Sequence, residues 1–169
     1  MKNFTEISPR DIDYNVFDAI ADKWMLITAE KDGKVNTMTA SWGGLGHIWH
    51  TDGAYIVIRP QRFTKEFIDA AENFSLTFFN GSYKEKLSYL GVTSGRDEDK
   101  IAKAGLTVVH DDKAPYFAEC ELAIICKKAY AQPLEEACFI DKSHAEKHYP
   151  DKDFHVLYIG EILKVILCK

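Results

Sequence analysis

The chain has 169 residues, a formal net charge of −5, 46% hydrophobic and 28% charged residues. That length supplies a core for a single domain spanning 1–169, with the balance of an ordinary soluble globule. The negative charge, with no basic stripe to offset it, argues against a nucleic-acid partner, and no apolar run approaches membrane-spanning length. The start, Met1-Lys2-Asn3-Phe4-Thr5-Glu6, lacks a signal-peptide core, so a cytoplasmic protein is expected. Cys120, Cys126, Cys138 and Cys168 show no C-x-x-C pairing and are expected as reduced thiols. Cys120 and Cys126 are expected to share a strand face in the core. Neither the Cys nor the His residues have metal-ligand spacing, so no metal site is expected.

Residues 1–13 read as a lead-in segment, with Ser8-Pro9-Arg10-Asp11 turn-like or opening a short helix. Trp24 to Ala29 is an apolar strand, joined through Lys31-Asp32-Gly33-Lys34 to a second strand as a hairpin. In that second strand Thr37, Thr39 and Ser41 alternate with Met38, Ala40 and Trp42. Hydroxyls on one side suit a phosphate or polar chain; Met38 and Trp42 on the other suit a flat apolar group. The same alternation also fits a half-buried strand with a polar face. Gly43, Gly44 and Gly46 are expected to form a loop, and they are not a G-x-G-x-x-G fingerprint.

Ala54 to Ile58 reads as a strand ended by Arg59-Pro60. A helix follows over about Lys65 to Ala71, with Thr64 at its N-cap. Arg59 and Arg62 bracket that helix start and point to an anion site, or to two solvated or paired arginines. Phe74 to Phe79 is a further strand, and a helix is expected over about Tyr83 to Leu90. Another is expected from near Asp97 to Gly105, with Lys100 about one turn inside. Leu106 to Val109 and Cys120 to Cys126 read as strands, the latter extensible to one long strand over residues 117–130, with Pro133 to Phe139 as its partner. Residues 140–153 read as a charged loop with His144 and His148 on the surface. The last strand runs from Phe154 to Leu163, with His155 on an apolar face. Seven or eight strands with two or three short helices, and no regular strand–helix alternation, predict an antiparallel barrel decorated by helices.

Five stretches in order carry a resemblance. They are Asn36-Thr37-Met38-Thr39-Ala40-Ser41-Trp42, Arg59-Pro60-Gln61-Arg62-Phe63-Thr64, Phe74 to Phe79, Ser94-Gly95-Arg96-Asp97 with Asp99-Lys100, and His155 with Gly160-Glu161-Ile162. Together they resemble the flavin reductase-like family with the FMN-binding split barrel, closest to its flavoredoxin-like branch. The resemblance implies a mainly β, Greek-key antiparallel split barrel with short helices. It also implies a homodimer and one non-covalent FMN per subunit. It assigns Asn36 to Trp42 to the flavin, with backbone amides at the pyrimidine edge, Ser41 and its neighbouring hydroxyls at the ribityl-phosphate chain and Trp42 shielding the ring. Arg62, Phe63 and Thr64 fall at the phosphate, with Ser94, Asp97 and Lys100 on a second phosphate-side segment. His155 matches a late histidine near the nicotinamide side, the catalytic candidate. Typical NAD(P)H-dependent members carry Gly-Asp before that histidine; this chain has Asp153-Phe154. The expected activities are an NAD(P)H-dependent flavin oxidoreductase or a flavoredoxin-like electron carrier served by a redox partner protein. A split-barrel binding protein without redox chemistry is the third.

Overall fold

Residues 3–168 are described by a computed structural model; Met1 and Lys2 of the expected lead-in segment lie outside them. In chain order the elements are β1 (Phe4–Ile7), β2 (Met25–Lys31), β3 (Lys34–Ala40), β4 (Gly43–Ile48), β5 (Thr51–Ile58), α1 (Phe63–Ala70), β6 (Asn73–Phe78) and α2 (Lys84–Val92). There follow α3 (Lys100–Ala104), β7 (Val108–Val109), β8 (Tyr116–Phe117), β9 (Leu122–Pro133), α4 (Lys142–His148) and β10 (Val156–Cys168). The hairpin forms as expected. Asp32 and Gly33 both take positive φ, 51° and 73°, the conformation of a tight two-residue turn, and Lys31 pairs with Lys34.

One antiparallel sheet carries the fold in the order β3-β2-β6-β9-β10-β5-β4, with β1 added to the far end of β10. The apolar run of β2 is buried on both faces, which explains why it does not alternate. Met25, Ile27 and Ala29 join Phe74, Leu76, Phe78, Leu122, Ile124 and Cys126 in one cluster. Leu26 faces the other way, into a cluster of Leu87, Leu90, Phe117, Ala123 and Ile125 that seats α2 on the sheet. Full burial of each such Leu, Ile or Phe side chain contributes about 1.5–3 kcal/mol.

Several elements differ from expectation. The lead-in contains β1, whose only ladder is with the end of β10, well past the expected limit at Leu163. Gly43 and Gly44 lie in β4 rather than a loop. A Cβ on Gly44 would sit 2.3 Å from the Tyr55 ring, so glycine here lets an aromatic side chain cross the neighbouring strand. Residues 142–148 are helical, capped by the Asp141 carboxylate on the Ser143 N–H. Pro133 to Phe139 contributes only the last residue of β9 and a short 3-10 turn. The long strand expected over 117–130 is broken into β8 and β9. Cys120 lies before β9 in a different cluster from Cys126, so the two do not share a face.

Candidate functional site

The sheet begins at β3 and ends at β4, so among the described residues β3 has no partner strand on its outer edge. A cleft of about 310 Å³ opens there, lined by Met38, Thr39, Ala40, Ser41, Trp42, Val57, Arg59, Arg62 and His155. A second cleft of about 180 Å³ adjoins it, sharing Met38 and Arg62 and adding Phe63, Thr64, Ser94 and Lys100. The sizes and mixed lining are those of a small-molecule site. The two clefts differ in chemistry. The first is aromatic: the Trp42 ring lies 5.1 Å from that of His155 and 5.4 Å from that of His148. The second is cationic, with Arg62 close enough to Lys100 to disfavour its charge.

Arg62 is half-buried, and among the described residues no carboxylate pairs with it. Burial and the neighbouring Arg59 push its guanidinium below the usual arginine range. It is the N-cap residue of α1, and its side chain does not cap the helix. The first-turn N–H groups of α1 therefore open beside an uncompensated cation, a combination that favours an anion. Lys100 is buried and donates to the carbonyls of Leu90 and Thr93, at 2.9 and 2.8 Å, leaving one N–H unspent. Burial, with Arg62 nearby, lowers its pKa to about 8.

The two arginines do not act as the expected pair. Arg59 is held by the Asp153 carboxylate and the His148 carbonyl, and stands 5.2 Å from the Tyr149 ring. Nor is Thr64 the N-cap. It lies inside α1, buried, and its Oγ1 accepts from Asn36 Nδ2 at 2.9 Å. Asn36 and Thr64 thus tie β3 to α1. Gly95 leaves room for that tie, since a Cβ there would fall 2.3 Å from Asn36 Oδ1. Two hydroxyls of the β3 polar face, Thr37 and Thr39, are engaged within the protein. Thr37 is fully buried, sharing a hydrogen bond with the Thr28 hydroxyl (2.8 Å) and donating to the Ile27 carbonyl (3.0 Å). Thr39 donates to the Leu87 carbonyl at 2.5 Å. Both hydroxyls donate within the protein, while Thr39 and Ser41 still border the cleft beside Met38, Ala40 and Trp42.

Among the sequence-predicted residues, the structure brings Met38 to Trp42, Arg62 and His155 into the first cleft, and Phe63, Thr64, Ser94 and Lys100 into the second. Lys100 is the first residue of α3, not a turn inside it. Asn36 and Asp97 line a third cavity of about 460 Å³, which shares Phe63, Arg96 and Lys100 with the second cleft, and Thr37 lines none of the three. Tyr149 was missed. Its hydroxyl shares a 2.8 Å hydrogen bond with His155 Nδ1, and nothing in the spacing of a tyrosine and a histidine six residues apart on a loop signals it.

His155 is held neutral by burial, reinforced by the Arg59 charge, and its pKa falls from 6.5 to about 4. The sign follows directly. Below pH 6.5 the unfolded chain takes up a proton at His155 that the folded chain does not, so stability falls as pH drops from 6.5 toward 4. At pH 5 the loss amounts to about 2 kcal/mol. Urea unfolding of the native chain at pH 7 and pH 5 is expected to show that drop, and His155→Gln is expected to remove most of it. An equal drop in both proteins would contradict the assignment.

An antiparallel split sheet with an aromatic cleft running into a cationic one has the build of a small-molecule-binding protein. The flavin reductase like domain model matches residues 17–169, and the chain belongs to that family. No curated protein sequence matches it. Among solved structures, an FMN-binding domain of a flavin reductase-like enzyme from Shewanella baltica superposes with a TM-score of 0.71 at 16% identity, covering 98% of this chain and 78% of that one. The flavoredoxin of Desulfovibrio vulgaris gives 0.68 at 23%, covering 95% and 76%. An NADH:FAD oxidoreductase from Streptomyces globisporus, in complex with NAD and FAD fragments, gives 0.61 at 12%, covering 85% and 73%. At these identities the likeness establishes the split-barrel fold. No helix among the described residues is long and apolar enough to cross a membrane.

Proposed function

We propose that the joined clefts hold FMN, its ring against Ala40, Ser41 and Trp42 and its phosphate between Arg62, Ser94, Lys100 and the start of α1. The observation that carries this reading is Arg62, a half-buried cation with no carboxylate partner among the described residues, standing where the aromatic and cationic clefts meet. The chemistry such a flavin supplies is hydride acceptance at N5, from NADH or NADPH, or the uptake of electrons from a protein partner. The chain's own part is positioning. Arg62 and Lys100 fix the anionic end, Trp42 covers the apolar end, and Asn36 with Thr64 holds β3 against α1 so that both ends keep their spacing. His155, neutral and hydrogen-bonded to Tyr149, borders the ring cleft without adding charge to it.

The electron-carrier reading has its own observation. Asp153 is committed to Arg59 and Gln61, and Phe154 packs among Phe139 and Tyr149, where NAD(P)H-dependent members carry Gly-Asp. A bulky, tied-down segment beside His155 leaves less room for a nicotinamide. Anaerobic titration of the FMN-loaded protein separates the two. Rapid bleaching by NADH or NADPH supports the reductase; a spectrum that resists both nucleotides and yields to dithionite supports the carrier. The homodimer is part of the same proposal, supported by exposed Tyr55 and Tyr130 flanking a half-buried Ile159 across β5, β9 and β10, with exposed Trp49 6.3 Å from Tyr130.

FMN retention is expected to be steady from pH 6.5 to 7.5 and to weaken above pH 8, as Lys100 loses its proton and with it the attraction for the phosphate. Lys100→Met is expected to weaken binding at pH 7 and to abolish this pH dependence. A variant that keeps the native pH profile would remove Lys100 from the phosphate site.

A further inference from the structure

Cys120 and Cys168 lie 48 residues apart in sequence, and their Sγ atoms stand 2.7 Å apart. The backbone brings them there. Leu122 of β9 pairs with Leu167 of β10, and just outside that pair Cys168 N–H donates to the Glu121 carbonyl at 2.9 Å. Glu121 N–H in turn donates to the Phe78 carbonyl at 2.8 Å, and Cys120 N–H to the Phe117 carbonyl at 3.2 Å. The approach is therefore set by the sheet ladder, not by two side chains that happen to have turned together. The separation is well inside the contact distance of two unbonded sulfurs and lies nearer to a disulfide bond, about 2.05 Å. The other two cysteines offer no such geometry. Cys126 is buried in the other cluster, where burial pushes its thiol well up, and Cys138 is exposed on a short turn.

We infer that Cys120 and Cys168 are a modification site, closing to a disulfide on oxidation by a peroxide and tying the end of β10 to the start of β9. The step balances in two parts. A peroxide oxidises one thiol to a sulfenic acid, its O–O bond breaking and one water leaving. The second sulfur then displaces that hydroxyl, the S–O bond breaking and a second water carrying away the remaining thiol proton. The two sulfurs together lose two electrons, and hydrogen peroxide gains them as two waters. The bond closes a loop holding β9, α4 and β10, and so restricts the unfolded chain strongly.

The test uses the full chain carrying Cys138→Ser, which removes the exposed thiol and its intermolecular products. Of the four cysteines in the sequence, three then remain. After dithiothreitol, maleimide labelling in denaturant is expected to count three thiols. After hydrogen peroxide it is expected to count one, with a non-reducing peptide map linking the Cys120 and Cys168 peptides. The oxidised form is expected to melt about 5 °C or more above the reduced one, and dithiothreitol is expected to reverse this. Three thiols after peroxide, or loss of thiols with sulfinic acid and no crosslinked peptide, would overturn the inference. The thiol count and peptide map need no substitution at either cysteine, so they stand even if Cys120→Ser or Cys168→Ser fails to fold.

Discussion

Arg62→Ala is expected to weaken FMN binding by about 100-fold, equivalent to about 2.7 kcal/mol. The magnitude rests on charge and burial together. A hydrogen bond to a charged group contributes about 1.5–3 kcal/mol, and here no carboxylate among the described residues competes for the guanidinium. Riboflavin supplies the control, because it lacks the phosphate. Its affinity is expected to change by less than about 5-fold in the same variant, since the apolar cleft of Trp42, Ala40 and Val57 is untouched. Arg59→Ala is expected to act differently. Its guanidinium serves Asp153 and the His148 carbonyl, so the loss falls on the 148–155 segment and on thermal stability more than on the phosphate. Fluorescence quenching titrations with both flavins read all of these effects. Equal losses for FMN and riboflavin in Arg62→Ala would move the phosphate elsewhere.

Gly160→Ala is expected to destabilise the fold by about 2–3 kcal/mol and to lower Tm by about 5–10 °C. A Cβ at this position would stand 2.8 Å from both Cys126 Cβ and Phe74 Cε1. Neither neighbour yields cheaply, because both are fully buried in the cluster inside the sheet. The position also lies where the β9–β10 register shifts, between Ile159 and Gly160. Gly46 in β4 provides the comparison. A Cβ there meets nothing within 4 Å, and Gly46→Ala is expected to leave Tm unchanged or slightly raised. Thermal unfolding by circular dichroism distinguishes the two. Matching Tm values for the two variants would show that the β10 backbone moves aside more easily than this packing implies.

The sequence made the centre of the fold legible and left its margins obscure. Lys31-Asp32-Gly33-Lys34 specifies a tight turn by local chemistry, so the β2–β3 hairpin was readable. The apolar run of β2 was likewise readable as a strand, although its burial on both faces depends on α2 and β9, which no local pattern shows. β1 escaped because four residues ending a distant strand carry no periodicity of their own. The glycines of β4 read locally as a loop, but they lie in a strand, and the one at 44 admits the Tyr55 side chain of the adjacent strand.

The candidate site divides in the same way. Met38 to Trp42, Arg62, Ser94 and Lys100 were found through ordered motifs, and they do converge. What local reading leaves open is the use of each group. The hydroxyls of Thr37 and Thr39 were read as facing a ligand, yet both are spent on carbonyls within the protein. Local reading leaves Arg59 either as a second anion-binding arginine or as a paired one, and Asp153, 94 residues later in the chain, makes it the paired one. Such competition for a polar group is settled only by tertiary contacts, so spacing along the chain does not reveal it.

The most direct measurement is an equilibrium titration of the purified full chain, freed of any bound flavin, with FMN. Fluorescence quenching is followed alongside circular dichroism that verifies the fold. Saturation at one FMN per chain, with FMN bound more tightly than riboflavin, is the result predicted by clefts that meet at Arg62. A folded chain that leaves FMN fluorescence unquenched, or that binds riboflavin and FMN equally, would contradict it.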